Sequence, residues 1–297
     1  MCWMFWRKIK FFPTDRNKPT DRNKPADEKM EKEKKYIYGD LTRTLIGYFF
    51  DVQNTLGVGY DEGTYHKALE RCFQKMGIQH QSKPRKEIFH RNLKVKEFEA
   101  DFIVFDKIIL ELKAIKSQFF QNHYVQIISE LKLWQLSLGL LVNFGLQKVA
   151  IERIPFSEKT REVNENYDYI KNCLTGADRI LLAKLRDAIL FVLQVHGLGY
   201  GESIYHKIIS TELDYREIKY QNRFPIKVKY DQETINIFEM KPLLIENRLI
   251  CDIRALLDKI DLHDIARIQS YLRALGLNIG VIVNFGKDHL EIRGVRA

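Results

Sequence analysis

The chain has 297 residues, a hydrophobic fraction of 45% and a formal net charge of +9, with a pI of about 9.2. That length accommodates two ordinary domains, and the basic balance suits an anionic partner such as nucleic acid. No apolar run approaches the roughly 18 residues of a membrane span. No cleavable secretion signal is legible, and Cys2, Cys72, Cys173 and Cys251 show neither zinc-ligand nor CxxC spacing, so a reduced, cytoplasmic protein is expected.

Residues 1–35 read as a disordered basic tail. The polar stretch Thr14-Asp15-Arg16-Asn17-Lys18-Pro19 recurs at once as Thr20 to Pro25, and such a segment cannot bury a core. From Asp40 the spacing of Leu41, Leu45, Tyr48, Phe49, Val52 and Leu56 predicts a helix. After Gly57-Val58-Gly59, Glu62 opens a second helix through Tyr65, Leu69, Phe73 and Met76, closed by Gly77. Strands are expected near 78–82, 86–89 and 94–98. A third helix spans 118–136, and strands follow at 138–143 and 148–154. This order predicts an α/β fold with helices covering a mixed sheet.

The stretch from Glu99 to Lys113 reads as a β-hairpin with Phe105-Asp106-Lys107 at its tip. Folding it about Asp106 sets Asp101 opposite Glu111 and Glu99 opposite Lys113, all on one face. Ala100, Phe102, Val104, Ile108, Leu110 and Leu112 take the other face. Opposed carboxylates repel, and at about 5 Å between Cβ atoms they are spaced to chelate one hard cation. The alternative is a solvated face on which Glu99 and Lys113 form a surface ion pair of about 0–1 kcal/mol.

Residues 155–177 are polar and aperiodic and are expected to be a linker. The sequence then repeats. Gly57 to Lys67 returns as Gly197 to Lys207, and Leu141-Val142-Asn143-Phe144-Gly145 returns as Ile282-Val283-Asn284-Phe285-Gly286. Two homologous domains in tandem follow, at 36–154 and 178–297.

Both halves carry Gly-x-x-Glu-x-x-Tyr, as Gly59, Glu62, Tyr65 and as Gly199, Glu202, Tyr205. The first half adds Asp101, then Glu111-Leu112-Lys113, then Gln126 on a helix. In this ordered set the chain resembles the GxxExxY family, a branch of the PD-(D/E)XK nuclease superfamily. The resemblance covers about 40–154 and 178–297. It implies tandem restriction-endonuclease-like domains, each a mixed β-sheet flanked by helices, and hydrolysis of phosphodiester bonds, in DNA rather than RNA. It further implies Mg²⁺ or Mn²⁺ held by Asp101, Glu111 and the Leu112 carbonyl, with Glu62 joining directly or through water. Lys113 would orient the attacking water or neutralise charge in the transition state, and Gln126 would stand at the site's edge. Where some superfamily members place Tyr four residues after that Gln, this chain has Glu130.

Tyr65 and Tyr205 are expected to pack, and His66, His123 and His206 to be surface or structural. Asn143 and Asn284 are expected to cap turns. In the second half, folding about Asn247 puts Asp252 where Glu111 stands and Arg254 where Lys113 stands. Pro242 and Met240 lie opposite them, and a one-residue slip would bring Lys241 instead. Arg267 replaces Gln126. The second half is therefore expected to keep the fold and lose the site. Lys241, Arg254, Arg267 and Arg273 become candidate phosphate contacts of an intramolecular pseudo-dimer. The other class of reading is a non-catalytic nucleic-acid-binding or protein-interaction module on the same fold.

Overall fold

A computed structural model of the chain describes residues 37–159 and 161–297; the expected tail at 1–35 lies outside them. Contacts divide the chain into residues 1–43 and 44–297. Of the former, the described part forms the opening turn of helix α1 (Gly39–Leu56), where the Thr42 hydroxyl donates to the Gly39 carbonyl at 2.9 Å.

The first domain continues with α2 (Glu62–Lys75), β1 (His80–Ser82), β2 (Arg85–His90), β3 (Leu93–Glu99), β4 (Phe102–Val104), β5 (Ile108–Lys113), α3 (Gln121–Trp134), β6 (Leu138–Asn143) and β7 (Ala150–Pro155). The main sheet runs β1-β4-β5-β6-β7, and only β5 and β6 are parallel. A parallel pair needs a crossover, and α3 supplies it. The strand β6 is buried throughout and β5 as far as Leu112, as expected for strands covered on both faces.

The hairpin pairs Phe102 with Leu110 and Val104 with Ile108, and Asp101, one residue beyond the last pair, stands beside Glu111 in the register that the sequence pattern predicts, with its carboxylate accepting the Leu112 N–H. Its tip turns through Phe105 and Asp106, both at positive φ. The predicted Glu99–Lys113 pairing does not form. The strand β3 ends at Glu99 and belongs to a separate two-stranded ribbon, where Glu99 pairs with Arg85. The ion pair of Arg85 Nη2 with Glu99, at 2.6 Å, holds that arm away from the main sheet.

The second domain contains α4 (Gly176–His196), α5 (Glu202–Tyr215), β9 (Tyr220–Gln221), β10 (Phe224–Tyr230), β11 (Glu233–Met240), β12 (Leu243–Ile245), β13 (Leu249–Ala255), α6 (Leu262–Leu275), β14 (Ile279–Phe285) and β15 (Leu290–Arg296). Its sheet, extended at one edge by β8 (Val163–Asn166), has the order β8-β15-β14-β13-β12-β9, with β13 and β14 parallel. The strand β8 comes from the stretch expected to be a linker. It adds to the sheet edge because it pairs in parallel with β15 and because Arg186 grips Glu165 with two hydrogen bonds of 2.6 and 2.7 Å.

The β2–β3 ribbon of the first domain packs on α5 of the second. Ile88, Val95 and Phe98 share one apolar cluster with Ile204 and Ile208. Polar groups close the edges of this contact. Glu212, fully buried, accepts from Arg91 (2.8 and 3.0 Å) and lies 2.9 Å from His90, whose other ring nitrogen meets His196 at 2.9 Å. Lys207 donates to the Val95 carbonyl at 2.8 Å. On the other flank, the Gly201 N–H donates to the Ser129 hydroxyl at 3.2 Å. Gly201 occupies the helix-capping position that Asp61 fills in the first domain, and a Cβ there would lie 2.5 Å from Val125 Cγ1.

Two outcomes follow from this contact. Gly201→Ala will destabilise the protein by about 1–3 kcal/mol through overpacking against Val125, read as a lower urea midpoint. Gly63→Ala, with its nearest neighbour at 3.5 Å, will not. Burial pushes the His196 imidazole down to about 4, and it lowers His90 despite Glu212. The unfolded chain therefore binds protons that the folded one refuses as pH falls from 6.5 toward 4, and stability is lost across that window. His196→Gln will flatten this acid limb in urea melts run from pH 7 to 4.5.

Candidate active site

The local sequence dictates where the acids stand. Asp101 directly precedes β4 and is almost fully buried, as is Glu111 on β5. One Asp101 oxygen accepts the Leu112 N–H at 2.8 Å, so the hairpin backbone itself orients that carboxylate. The other oxygen meets Lys83 at 2.9 Å, and Lys83 also reaches Glu99 at 3.5 Å. Lys113 Nζ lies 2.5 Å from Glu111 Oε1, 2.8 Å from the Leu112 carbonyl and 3.5 Å from Glu62. The structure thus brings together Glu62, Asp101, Glu111, Leu112 and Lys113.

Gln126 joins them more closely than an edge position would suggest. Its amide donates to Glu111 Oε1 at 2.6 Å and to Glu130 Oε1 at 3.0 Å. Glu130, fully buried one turn further along α3, is a member of the cluster that sequence reading had marked only as a departure from a motif. The available signal was its i,i+4 spacing from Gln126, which puts both side chains on one helix face.

Burial drives the electrostatics. It pushes the Glu111 carboxyl well above the usual range, with Glu130 and Asp101 adding repulsion against the pull of Lys113. Burial likewise raises Glu130, to about 7, although the Gln126 hydrogen bond opposes it. Glu62, more open, is raised by desolvation against Lys113. Burial disfavours the charge on Lys113, but the surrounding carboxylates, Glu111 first, outweigh it and hold the ammonium charged.

The donor set fits a hard divalent cation. Glu111 Oε2 and Glu130 Oε2 are buried without a hydrogen-bond partner among the described residues, an arrangement that costs free energy unless a proton or cation meets it. Carboxylate oxygens and a backbone carbonyl are the ligands Mg²⁺ and Mn²⁺ prefer.

The motif residues without charge have structural roles. Tyr65 donates to the Gly57 carbonyl at 2.9 Å and stacks on Phe144; Tyr205 repeats this with Gly197, at 2.6 Å, and Phe285. His66 Nε2 lies 3.2 Å from the Asp101 carbonyl, and its ring stacks on Phe102. His123 helps cap α3, where its Nδ1 accepts the Phe120 N–H at 3.1 Å. Asn143 ties the loop after Lys113 to the end of β6 through Ile115, Ser117 and Gly145.

The second domain holds a different constellation. The pairing of Leu243 with Cys251 continues to Pro242 opposite Asp252. His206, the counterpart of His66, meets the Lys241 carbonyl at 3.1 Å, so one extra residue separates that carbonyl from the acid on β13. Neither Lys241 nor Pro242 offers a side-chain ligand for a cation. Arg267 meets Asp252 at 2.6 Å and Asp264 at 3.2 Å, and Arg254 pairs with Glu202 at 3.3 Å. Burial raises Asp252 to about 6, against the opposing pull of these arginines. Arg254 and Arg267 are thus engaged inside their own domain, whereas Lys241 and Arg273 are exposed.

A family model described as the PD-(D/E)XK nuclease superfamily matches residues 39–154 and again 180–296. A solved structure titled "Crystal structure of SSO0001" aligns with 39% of this chain and 77% of that chain, at 16% identity and a TM-score of 0.27. No curated protein matches the chain.

The raised carboxyls make a stability prediction. Between pH 4.5 and 7 the unfolded chain has released the Glu130 proton while the folded chain retains it, so without metal stability falls as pH rises through that window. In chelator, Glu130→Gln will stabilise the protein by about 1–3 kcal/mol at pH 8 and leave it unchanged near pH 4.5, as read from urea midpoints at the two pH values.

Proposed function

The chain belongs to the PD-(D/E)XK nuclease superfamily, and from that premise we propose that it is a divalent-metal-dependent phosphodiesterase acting on DNA, with one active site in its first domain. Within the superfamily we assign it to the GxxExxY branch. The observation that carries the reading is the contrast between two copies of one hairpin. The first copy keeps Asp101 opposite Glu111, with Lys113 and Glu62 beside them; the second sets Pro242 opposite Asp252 and closes that acid with Arg267.

Asp101, Glu111, the Leu112 carbonyl and Glu62 would hold Mg²⁺ or Mn²⁺. When bound, such an ion stabilises charge on a phosphate and lowers the pKa of a bound water. The chain's own groups do the rest. The Leu112 N–H fixes one Asp101 oxygen, and the Gln126 amide fixes Glu111. Lys113, held charged among Glu111 and Glu62, is placed to donate a hydrogen bond to a phosphoryl oxygen or to an attacking water. Gln126 is a positioning residue acting through Glu111.

A second reading has one observation in its favour. Lys83 on Asp101 and Lys113 on Glu111 already balance much of the acidic charge, as in a binding module that needs no cation. In both readings the second domain is a pseudo-nuclease packed against the first.

Calorimetry with Mn²⁺ separates them. One ion should bind per wild-type chain, be lost in Asp101→Ala and persist in Asp252→Ala. Plasmid cleavage should follow the same order and fall at least about a hundredfold in Lys113→Ala, the scale of losing one preorganised electrostatic donor. A folded wild-type sample that binds no Mn²⁺ overturns the nuclease reading.

A further inference from the structure

The two domains contact each other head to tail, and the contact uses different surfaces on each. The first domain contributes its β2–β3 ribbon and one flank of α3; the second receives them on the Gly197–Gly201 loop and α5. Because the sequence repeats, each domain owns a copy of both surfaces. One copy of each is therefore unused: the giving surface of the second domain and the receiving surface of the first.

The giving surfaces correspond residue for residue. In the first ribbon Arg85 pairs with Glu99, Lys86 with Phe98 and Ile88 with Lys96, with a bulge after Ile88. In the second, Pro225 pairs with Glu239, Ile226 with Phe238 and Val228 with Asn236, with a bulge after Val228. Both tips turn through two residues at positive φ, Arg91 and Asn92 in one and Asp231 and Gln232 in the other. Val95, at the bulge of the first ribbon, is 5% exposed; its counterpart Ile235 is 65% exposed. Phe98 is buried and Phe238 exposed, and Tyr230 stands exposed in place of buried His90. The face that is a domain contact in the first copy has stayed apolar in the second and faces solvent.

The receiving surfaces show the same asymmetry. Tyr200, under Lys132 of α3, is 6% exposed, and Tyr60 is 52% exposed. Leu198 is buried and Val58 exposed. Along the helix, Ile204, Ile208 and Glu212 correspond to Thr64, Ala68 and Cys72, all partly accessible and smaller. On the ribbon side Val95 becomes Ile235 and His90 becomes Tyr230, which regains at these two positions bulk lost from the helix, while Ile88 becomes Val228. Charge inverts as well. Arg91 binds Glu212 and lies over Tyr215 in the first contact; the matching positions in the second are Asp231 on the ribbon and Lys75 on α2.

We infer that the β10–β11 ribbon docks on the Gly57–Asp61 loop and α2 of a second copy of this chain, repeating between chains the contact that joins the domains within one. Such a contact is heterologous, so two chains either close a ring of four domains or continue into a longer assembly. Mutually complementary surfaces within one chain favour a second copy over an unrelated protein as the occupant. This inference does not depend on catalysis.

Sedimentation velocity of the full chain over a range of concentrations tests it. The wild type should show species of two or more chains. Ile235→Glu removes the giving surface and Val58→Glu the receiving one, and each alone should sediment as a monomer. Mixed together they should form a complex of two chains and no larger, because one giving and one receiving surface remain between them. Melting curves check that the variants fold, with Tyr230→Glu and Tyr60→Glu as a second pair. A wild type monomeric at every concentration, or a mixture that stays monomeric, overturns the inference. So does a monomeric wild type that associates only after deletion of residues 1–36, since the leader would then be what covers the ribbon.

Discussion

Two carboxylates facing each other across a buried hairpin make the constraint on which the first domain depends. Asp101 and Glu111 are both almost inaccessible to solvent, and in that position two bare negative charges would be strongly unfavourable. The surrounding structure answers this with oriented partners. The Leu112 N–H meets one Asp101 oxygen, Lys83 the other, and Lys113 and the Gln126 amide share Glu111 Oε1. The opposite Glu111 oxygen has no partner among the described residues. Three elements converge to make this possible: the hairpin supplies the acids, α2 brings Glu62, and α3 brings Gln126 and Glu130.

Much of this was legible in the sequence because strand alternation has a strict period. Once Asp106 is taken as the turn, the register of the hairpin and the opposition of Asp101 to Glu111 follow, and both positive-φ tip residues agree with it. The same arithmetic about Asn247 put Pro242 opposite Asp252. Alternation could not show where the hairpin ends. The chain breaks its pairing at Ala100–Asp101, and Glu99 turns to Arg85, because a competing ribbon offers it a partner outside the main sheet. The burial of Glu130 was not legible for a related reason. A carboxylate on an amphipathic helix normally faces solvent, and only the tertiary placement of α3 over β5 and β6 buries it. The β8 strand was missed because an edge strand needs few apolar residues, and Val163-Asn164-Glu165-Asn166 carries little more than the one Glu that Arg186 holds.

The second domain shows what the same fold does without the constraint. Arg267 takes the place of Gln126, Arg254 that of Lys113 and Tyr271 that of Glu130. One buried acid now meets an arginine at 2.6 Å, and the raised acid on α3 is gone. The burial problem is solved with fixed positive charge, which an arginine supplies irrespective of pH. What remains common to both halves is the tyrosine-centred scaffold, the motif glutamate and one buried acid on the hairpin. The tyrosine of the motif bonds the glycine carbonyl and stacks on the phenylalanine after β6 or within β14. The motif survives in both copies with its packing and its glutamate, and the divergence lies on the hairpin and the helix after it, where Asp101, Lys113 and Gln126 have no like counterpart.

That division has a physical basis in how the copies meet. In a two-fold contact both domains bury the same surface and are held to the same residues. In a head-to-tail contact they are not, because each surface is buried in one copy and free in the other. The Gly201 N–H lies against Ser129 with Val125 where a side chain would be, so the second domain gives up the capping aspartate that begins α2 in the first. His90, Arg91 and Glu212 form a network that Tyr230, Asp231 and Cys72 cannot copy. Each domain adapts one face to its neighbour, from Gly201 at the start of α5 to Glu212 near its end. Each surface is thus held by a neighbour in one copy and free in the other: Leu198 and Tyr200 are buried in the contact, while Val58 and Tyr60, their counterparts in the first domain, stay exposed, so the two copies of one sequence answer to different packing demands.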